Sequence, residues 1–218
     1  MKIRRHPLKP MKISLKIVLN FWIVFFLLSC SEDKKLPILG NKELRKIDGK
    51  IDTVYHQIPD FTLLNQDSIN FGSKELEGKI YVTDFFFTSC PTICPIMKTQ
   101  LLRVYQKYHE NGQVALVSIS IDPNFDRPAI LKDFSKKLKV DTRFWNFLTG
   151  DQAEIFNLGE KEFMVTAQKD EKELGGYLHS GAFILVDKNR RIRGVYDGTK
   201  EEAVNQLILD IQLLLDEK

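Results

Sequence analysis

The sequence predicts an α/β domain: a central mixed sheet flanked by helices, with an N-terminal β-hairpin extension. Three observations carry this. Two nearly unbroken apolar runs, "KIYVTDFFF" (79–87) and "QVALVSISID" (113–122), have the composition of strands buried on both faces. Each is followed by a stretch with apolar side chains at helical spacing. A pair of cysteines, Cys90 and Cys94, stands where the first buried strand meets its helix.

The elements follow in order. Residues 31–57 are polar and charged, with Pro37, Gly40 and Gly49, and read as a linker. Order begins near "IPDFTLLNQDSINFG", where two short β-like runs flank "NQDS" as a hairpin. After the first buried strand and the cysteines comes "IMKTQLLRVYQKYHENG". Ile96, Leu101, Val104, Tyr105 and Tyr108 give it a helical stripe, and Asn111-Gly112 a stop. The second buried strand ends at Asp122-Pro123, and Pro128 opens the helix "RPAILKDFSKKLKV". "FWNFLTG" reads as a short strand and "DQAEIFNLGEKEF" as helical. Beyond a charged loop, "GAFILVDKNRRIRGVYDG" forms two strands joined at "DKNR", and "EEAVNQLILDIQLLL" closes the chain as an amphipathic helix. Alternating buried strands and helices argue right-handed parallel crossovers. With a dithiol at the first strand–helix junction, the order resembles a thioredoxin-like fold.

Charge is unevenly spread along the 218 residues. The formal net charge is +3, but six of the 32 Lys and Arg lie within residues 1–29, which hold no acid. The remaining 26 face 29 Asp and Glu, so the folded part carries no basic footprint for nucleic acid. The basic leader precedes "IVLNFWIVFFLLSC", a run too short and too abruptly ended for a spanning helix. Residues 1–29 therefore read as a signal peptide, 30–54 as a tether and 55–218 as the domain. Leu27-Leu28-Ser29-Cys30 resembles a bacterial lipobox, which implies cleavage before Cys30 and lipidation of its sulfur. An uncleaved signal anchor is the alternative. Either way the domain is expected in the bacterial cell envelope, outside the cytoplasm and held to a membrane. Three cysteines is an odd number for an exported chain, and a lipidated Cys30 leaves one pair.

Residues i and i+4 of a helix share a face, so the Cys90 and Cys94 sulfurs can approach each other. Pro91 and Pro95 are tolerated only in an opening turn, whose N–H groups have no intrahelical partner. Such a helix start is expected to lower a thiol pKa. The pair can close into a disulfide or hold one ion. Thioredoxin-type redox motifs place two residues between the cysteines; here there are three. Two thiolates suit Cu(I), an added imidazole suits Cu(II) as well, and zinc would take the same donors with a fourth. Of four histidines, His6 leaves with the leader, His109 lies at the far end of the helix, and His56 reads as solvated or capping. His179, in "GGYLHSGAFILVD", precedes a core strand, and in a thioredoxin-like sheet that loop faces the dithiol.

"DFFFTSCPTICPIM", "SISIDPNFDRP" and "YLHSGAFILVDKNRRIRGVYDGT" resemble the three signatures of the Sco/SenC family, in order, over about residues 55–215. The resemblance implies a membrane-tethered, thioredoxin-like domain that binds a copper ion, Cu(I) or Cu(II), and helps assemble the dinuclear copper site of cytochrome c oxidase. Its ligands would be Cys90, Cys94 and His179. Asp122 would be a nearby carboxylate that tunes the site, and Asp84 a further buried acid. The partner would be cytochrome c oxidase subunit II, with a periplasmic copper donor or thiol reductant upstream. Two other readings stay open. One is a thiol-disulfide oxidoreductase with Cys90 and Cys94 as redox pair, which needs no metal. The other is a disulfide that merely braces a helix start.

Overall fold

The chain enters through an antiparallel pair, β1 (Lys42–Ile47) and β2 (Lys50–Tyr55), which forms a sheet of its own. The structure is a computed structural model describing residues 35–47, 49–170 and 177–217, without the side chains of Ile47, Lys169, Leu178 and His179. The predicted signal peptide, Cys30 and the start of the tether fall outside the described residues. Lys35–Lys218 forms one unit with its own core. The hairpin corrects the linker expected over 31–57. Its signal is an Asp48-Gly49 pair between two runs of β-compatible residues, and Gly49 takes the positive φ of +81° that such a turn uses.

The expected hairpin around "NQDS" forms β3 (Thr62–Asn65) and β4 (Asn70–Gly72). Then β5 (Ile80–Phe86), α1 (Cys94–Tyr108), β6 (Val114–Ser120), α2 (Pro128–Leu138) and β7 (Trp145–Thr149) alternate. β5, β6 and β7 are buried along their whole lengths and pair in parallel. A short helix α3 (Gln152–Asn157) runs into a π-helical turn, Leu158–Glu162. Next come the pair β8 (Ala167–Lys169) and β9 (Tyr177–His179), the strands β10 (Ala182–Val186) and β11 (Ile192–Asp197), and the last helix α4 (Glu201–Asp216). The β8–β9 pair was not expected, because a charged loop hides its short runs.

The main sheet has the order β11-β10-β5-β6-β7-β3-β4, parallel in its centre and antiparallel at both sides. Successive side chains of β5 point to opposite faces. Phe86 meets Phe134 of α2 at 5.5 Å between centroids, whereas Phe85 meets Phe163 after the π-turn at 5.7 Å. The sheet is thus covered on both faces, in the thioredoxin-like arrangement the sequence predicts. Gly159 makes the second layer possible: a Cβ there would stand 2.9 Å from Ala167 Cβ and 3.2 Å from Phe85.

Candidate metal centre

β5 delivers the chain to the cysteines. Phe87 follows it, Cys90 N–H donates to the Phe87 carbonyl at 3.3 Å, and Cys94 is the first residue of α1. The residue before it, Ile93, offers no side-chain cap, and Pro95 occupies the first turn, where its missing N–H costs nothing. Cys90 and Cys94 are buried, at 7% and 4% exposure, and their side chains hydrogen-bond each other. Cys90 Sγ also lies 3.5 Å from Thr92 Oγ1.

Burial decides the state of the inner sulfur. Desolvation pushes the Cys94 thiol well above its ordinary range, against a backbone hydrogen bond from Phe87 and the Lys98 ammonium, which both favour the thiolate. The lowered pKa expected of a helix start is therefore corrected for Cys94. The helix end favours anionic sulfur, but removal from water weighs more.

Two buried polar clusters hold this turn. In the first, Asp126, fully buried, accepts from Thr88 N–H at 2.9 Å, from the Thr88 hydroxyl, and from Ser120 Oγ at 2.6 Å. In the second, Lys98 pairs with Asp84 at 2.7 Å and donates to Ser118 Oγ at 2.9 Å, while Ser118 donates to Asp84 at 2.5 Å. Asp84 thus lies beneath α1 with a cation of its own. The stripe of α1 also differs from the expected one: Met97 and Lys98 face the core and Ile96 is half exposed. Lys98 and Asp126 were missed. The signal for Lys98 is a lysine four residues after Cys94, matched by an acid inside an otherwise apolar strand. For Asp126 it is a second carboxylate four residues after Asp122.

The backbone of His179 ends β9, opposite Ala167. Its neighbours on both sides reach the dithiol turn. The Tyr177 ring packs on Phe87 at 5.4 Å, and its hydroxyl donates to Asp122 Oδ1 at 2.9 Å. On the other side Gly181 lies against Ile93, where a Cβ would stand 3.6 Å from Cδ1. His179 is therefore bracketed by contacts to the residues that precede Cys90 and Cys94; its imidazole is outside the described part. Asp122 serves the hairpin through Tyr177, a residue sequence reasoning passed over. His56 instead meets the Glu162 carbonyl at 2.9 Å, and His109 stacks on Tyr105 at the far end of α1. An apolar cavity of about 220 Å³ opens beside the sulfurs between α1 and α2, lined in part by Phe87, Leu102 and Phe134. Among the described residues no group of three or more His, Cys, Asp and Glu forms a complete metal site.

Comparison with known proteins agrees with this layout. The SCO1/SenC family model matches residues 50–215. A SCO1/SenC family lipoprotein from Bacillus anthracis is 34% identical, with a TM-score of 0.68 over 73% of this chain and 95% of that one. BsSco, described as carrying a disulfide switch and as a member of the Sco family of cytochrome c oxidase assembly proteins, is 31% identical. Its TM-score is 0.66 over 75% and 95% of the two chains. Arabidopsis thaliana ScoI, solved with copper bound, is 26% identical, with a TM-score of 0.60 over 73% and 98%. Two buried cysteines on one opening turn, a histidine strand docked beside them and a family match across most of the chain lead to one assignment: this chain belongs to the SCO1/SenC family.

Proposed function

We propose that this chain is a membrane-tethered copper chaperone for the dinuclear copper site of cytochrome c oxidase, carrying the ion as cargo between Cys90, Cys94 and His179. The observation that carries the reading is the contact between two buried thiols on a turn against which both flanks of His179 pack. Copper-bound and oxidase-assembly relatives support it.

The chemistry follows from burial. A bare thiolate at Cys94 is costly, so the site favours a proton or a soft cation on sulfur. Copper replaces the proton, and loading should weaken as pH falls because the ion must displace it. Release follows ligand exchange with cysteines of the receiving protein, for which oxidase subunit II is the expected partner. Oxidation of the pair offers a second exit: two electrons leave, a disulfide forms, and both sulfur donors are withdrawn at once. The same exchange, with a client disulfide as electron acceptor, is the thiol-disulfide oxidoreductase reading. A lipidated Cys30 would hold the domain at the cell envelope, as the lipoprotein relative suggests. Among the described residues no helix is long and apolar enough to cross a membrane.

Anaerobic Cu(I) titration of the reduced chain tests this. One equivalent should bind tightly, Cys90→Ser should abolish stoichiometric binding, and His179→Ala should weaken it by about tenfold or more. His109→Ala should change nothing. Unaltered binding in the first two variants would refute the ligand set, and client-disulfide reduction with a copper chelator present would favour the oxidoreductase.

A further inference from the structure

The hairpin β1–β2 has two unlike faces. Residues directly opposite in an antiparallel pair lie on the same side, so the register Lys42·Tyr55, Leu44·Thr53 and Lys46·Ile51 defines one face. That face has two lysines, no acid, and two large aliphatic side chains, Leu44 and Ile51, each 75% exposed. The opposite face also has two basic and two aliphatic residues, Arg45, Lys50, Ile47 and Val54, but it carries both acids of the two strands, Glu43 and Asp52, with Arg45 paired to Glu43 at 2.7 Å. A two-stranded ribbon that leaves two large aliphatic side chains in water is marginal alone and calls for a cover.

The root of the hairpin sits at a defined end of the domain. Lys42 Nζ and the Arg191 guanidinium stand 5.5 and 5.7 Å from the Tyr55 ring, and Leu39 N–H donates to the Ile192 carbonyl at 2.8 Å. Arg191 ends the β10–β11 connection and Ile192 begins β11. Because Val186, the last residue of β10, pairs with Tyr81 near the start of β5, that connection lies at the end of the sheet away from the cysteines. The seven residues of β5 separate the two ends by about 20 Å.

We infer that the Lys42–Leu44–Lys46–Ile51 face of the hairpin rests on an anionic membrane surface, its lysines at the headgroups and its aliphatic side chains at the acyl boundary. Aliphatic residues beside lysines on one face, with acids kept to the other, is the pattern that an anionic bilayer attracts. Lys42 follows Cys30 by twelve positions, a reach of at most about 40 Å, so a tether at Cys30 keeps the hairpin beside the bilayer. This location rests on the lipid-anchor reading; the face itself does not. The dithiol then points away from the bilayer, toward partners in the aqueous space.

The test uses the chain from residue 31 onward, which retains the entire core unit and lacks Cys30. It should co-sediment with phosphatidylcholine–phosphatidylglycerol vesicles and not with phosphatidylcholine alone, and salt should release it. The double variant Leu44→Asp/Ile51→Asp should lower the partition coefficient by about tenfold or more. Lys46→Glu should weaken binding more than Arg45→Glu, although both change the net charge equally and occupy neighbouring positions of one strand. Equal losses for those two, indifference to headgroup charge, or absence of vesicle binding would overturn the inference. So would a dimer that dissociates in the double variant, since the face would then belong to a second copy. The anchor is tested apart, by whether Cys30→Ser releases the full chain from membranes.

Discussion

The two ends of β5 secure their neighbouring segments by opposite means. At the cysteine end a buried carboxylate, Asp126, collects neutral donors from Thr88 and Ser120, and the buried Lys98 is paired with Asp84. At the other end a buried cation does the work. Arg193 donates to the Leu36 carbonyl at 2.7 Å and the Pro37 carbonyl at 3.2 Å, and pairs with Asp187 at 3.0 Å and Glu217 at 2.7 Å. That clasp joins the first described residues to the end of the last helix. A site that carries an ion, as proposed for the two cysteines, needs surroundings that are already balanced, whereas a clasp between distant segments needs only strength. The difference separates a place for chemistry from a place for holding.

The sharpest way to break this comparison is to remove each cation. Lys98→Met leaves Asp84 buried and uncompensated and should cost about 3–5 kcal/mol of unfolding free energy in denaturant titration. Most of that loss should return in the double variant with Asp84→Asn, because the stranded charge is gone. Arg193→Met should cost less, about 2–3 kcal/mol, because Glu217, which follows α4 and is 25% exposed, can swing into water while only Asp187 stays enclosed. A larger loss at Arg193 than at Lys98 would reverse the assignment of the two ends.

A smaller effect is expected on the strand that ends in His179. Tyr177→Phe keeps the ring contact with Phe87 and removes the hydrogen bond to Asp122. Stability should fall by about 1 kcal/mol. Copper affinity should fall by about tenfold, through faster release, because the strand that ends in His179 is held less firmly. Asp122→Asn in the otherwise unaltered chain still accepts from the phenol and should keep most of the affinity. Loss of stability with unchanged copper release would make the phenol a purely structural strut.

What the sequence revealed depended on whether a signal was local. The buried strands announce themselves by apolar runs, α2 by Pro128, and the β10–β11 pair by its turn, so the main sheet was readable. The dithiol was readable because both cysteines and both prolines lie within six residues. The β1–β2 hairpin was missed because its strands are mostly charged, and the weight given to polarity outran the Asp48-Gly49 turn signal. Asp126, Lys98 and Tyr177 were missed for another reason. Each matters through a partner at least 14 positions away, Thr88, Asp84 or Asp122, and only the fold creates those pairs. The helix-start argument for a low thiol pKa failed at Cys94 likewise, since spacing carries no information about exclusion of water.

Acid titration should separate the two ends most delicately, because their carboxylates shift in opposite directions. Burial raises the Asp126 pKa despite its three hydrogen bonds, so the native state holds that proton more tightly than the unfolded chain. Its contribution is fully present below the ordinary aspartate value of about 3.9 and is lost as pH rises through the raised one. Glu217 is held low by the Arg193 guanidinium, so its contribution is present above the ordinary glutamate value of about 4.3 and is lost as pH falls through the lowered one. Unfolding free energies measured across this range should show Asp126→Asn flattening the decline on the neutral side of pH 4. Glu217→Gln should flatten the decline on the acid side. If both variants act on the same limb, the cysteine end is no less dependent on ionised carboxylate than the clasp, and the contrast between them fails.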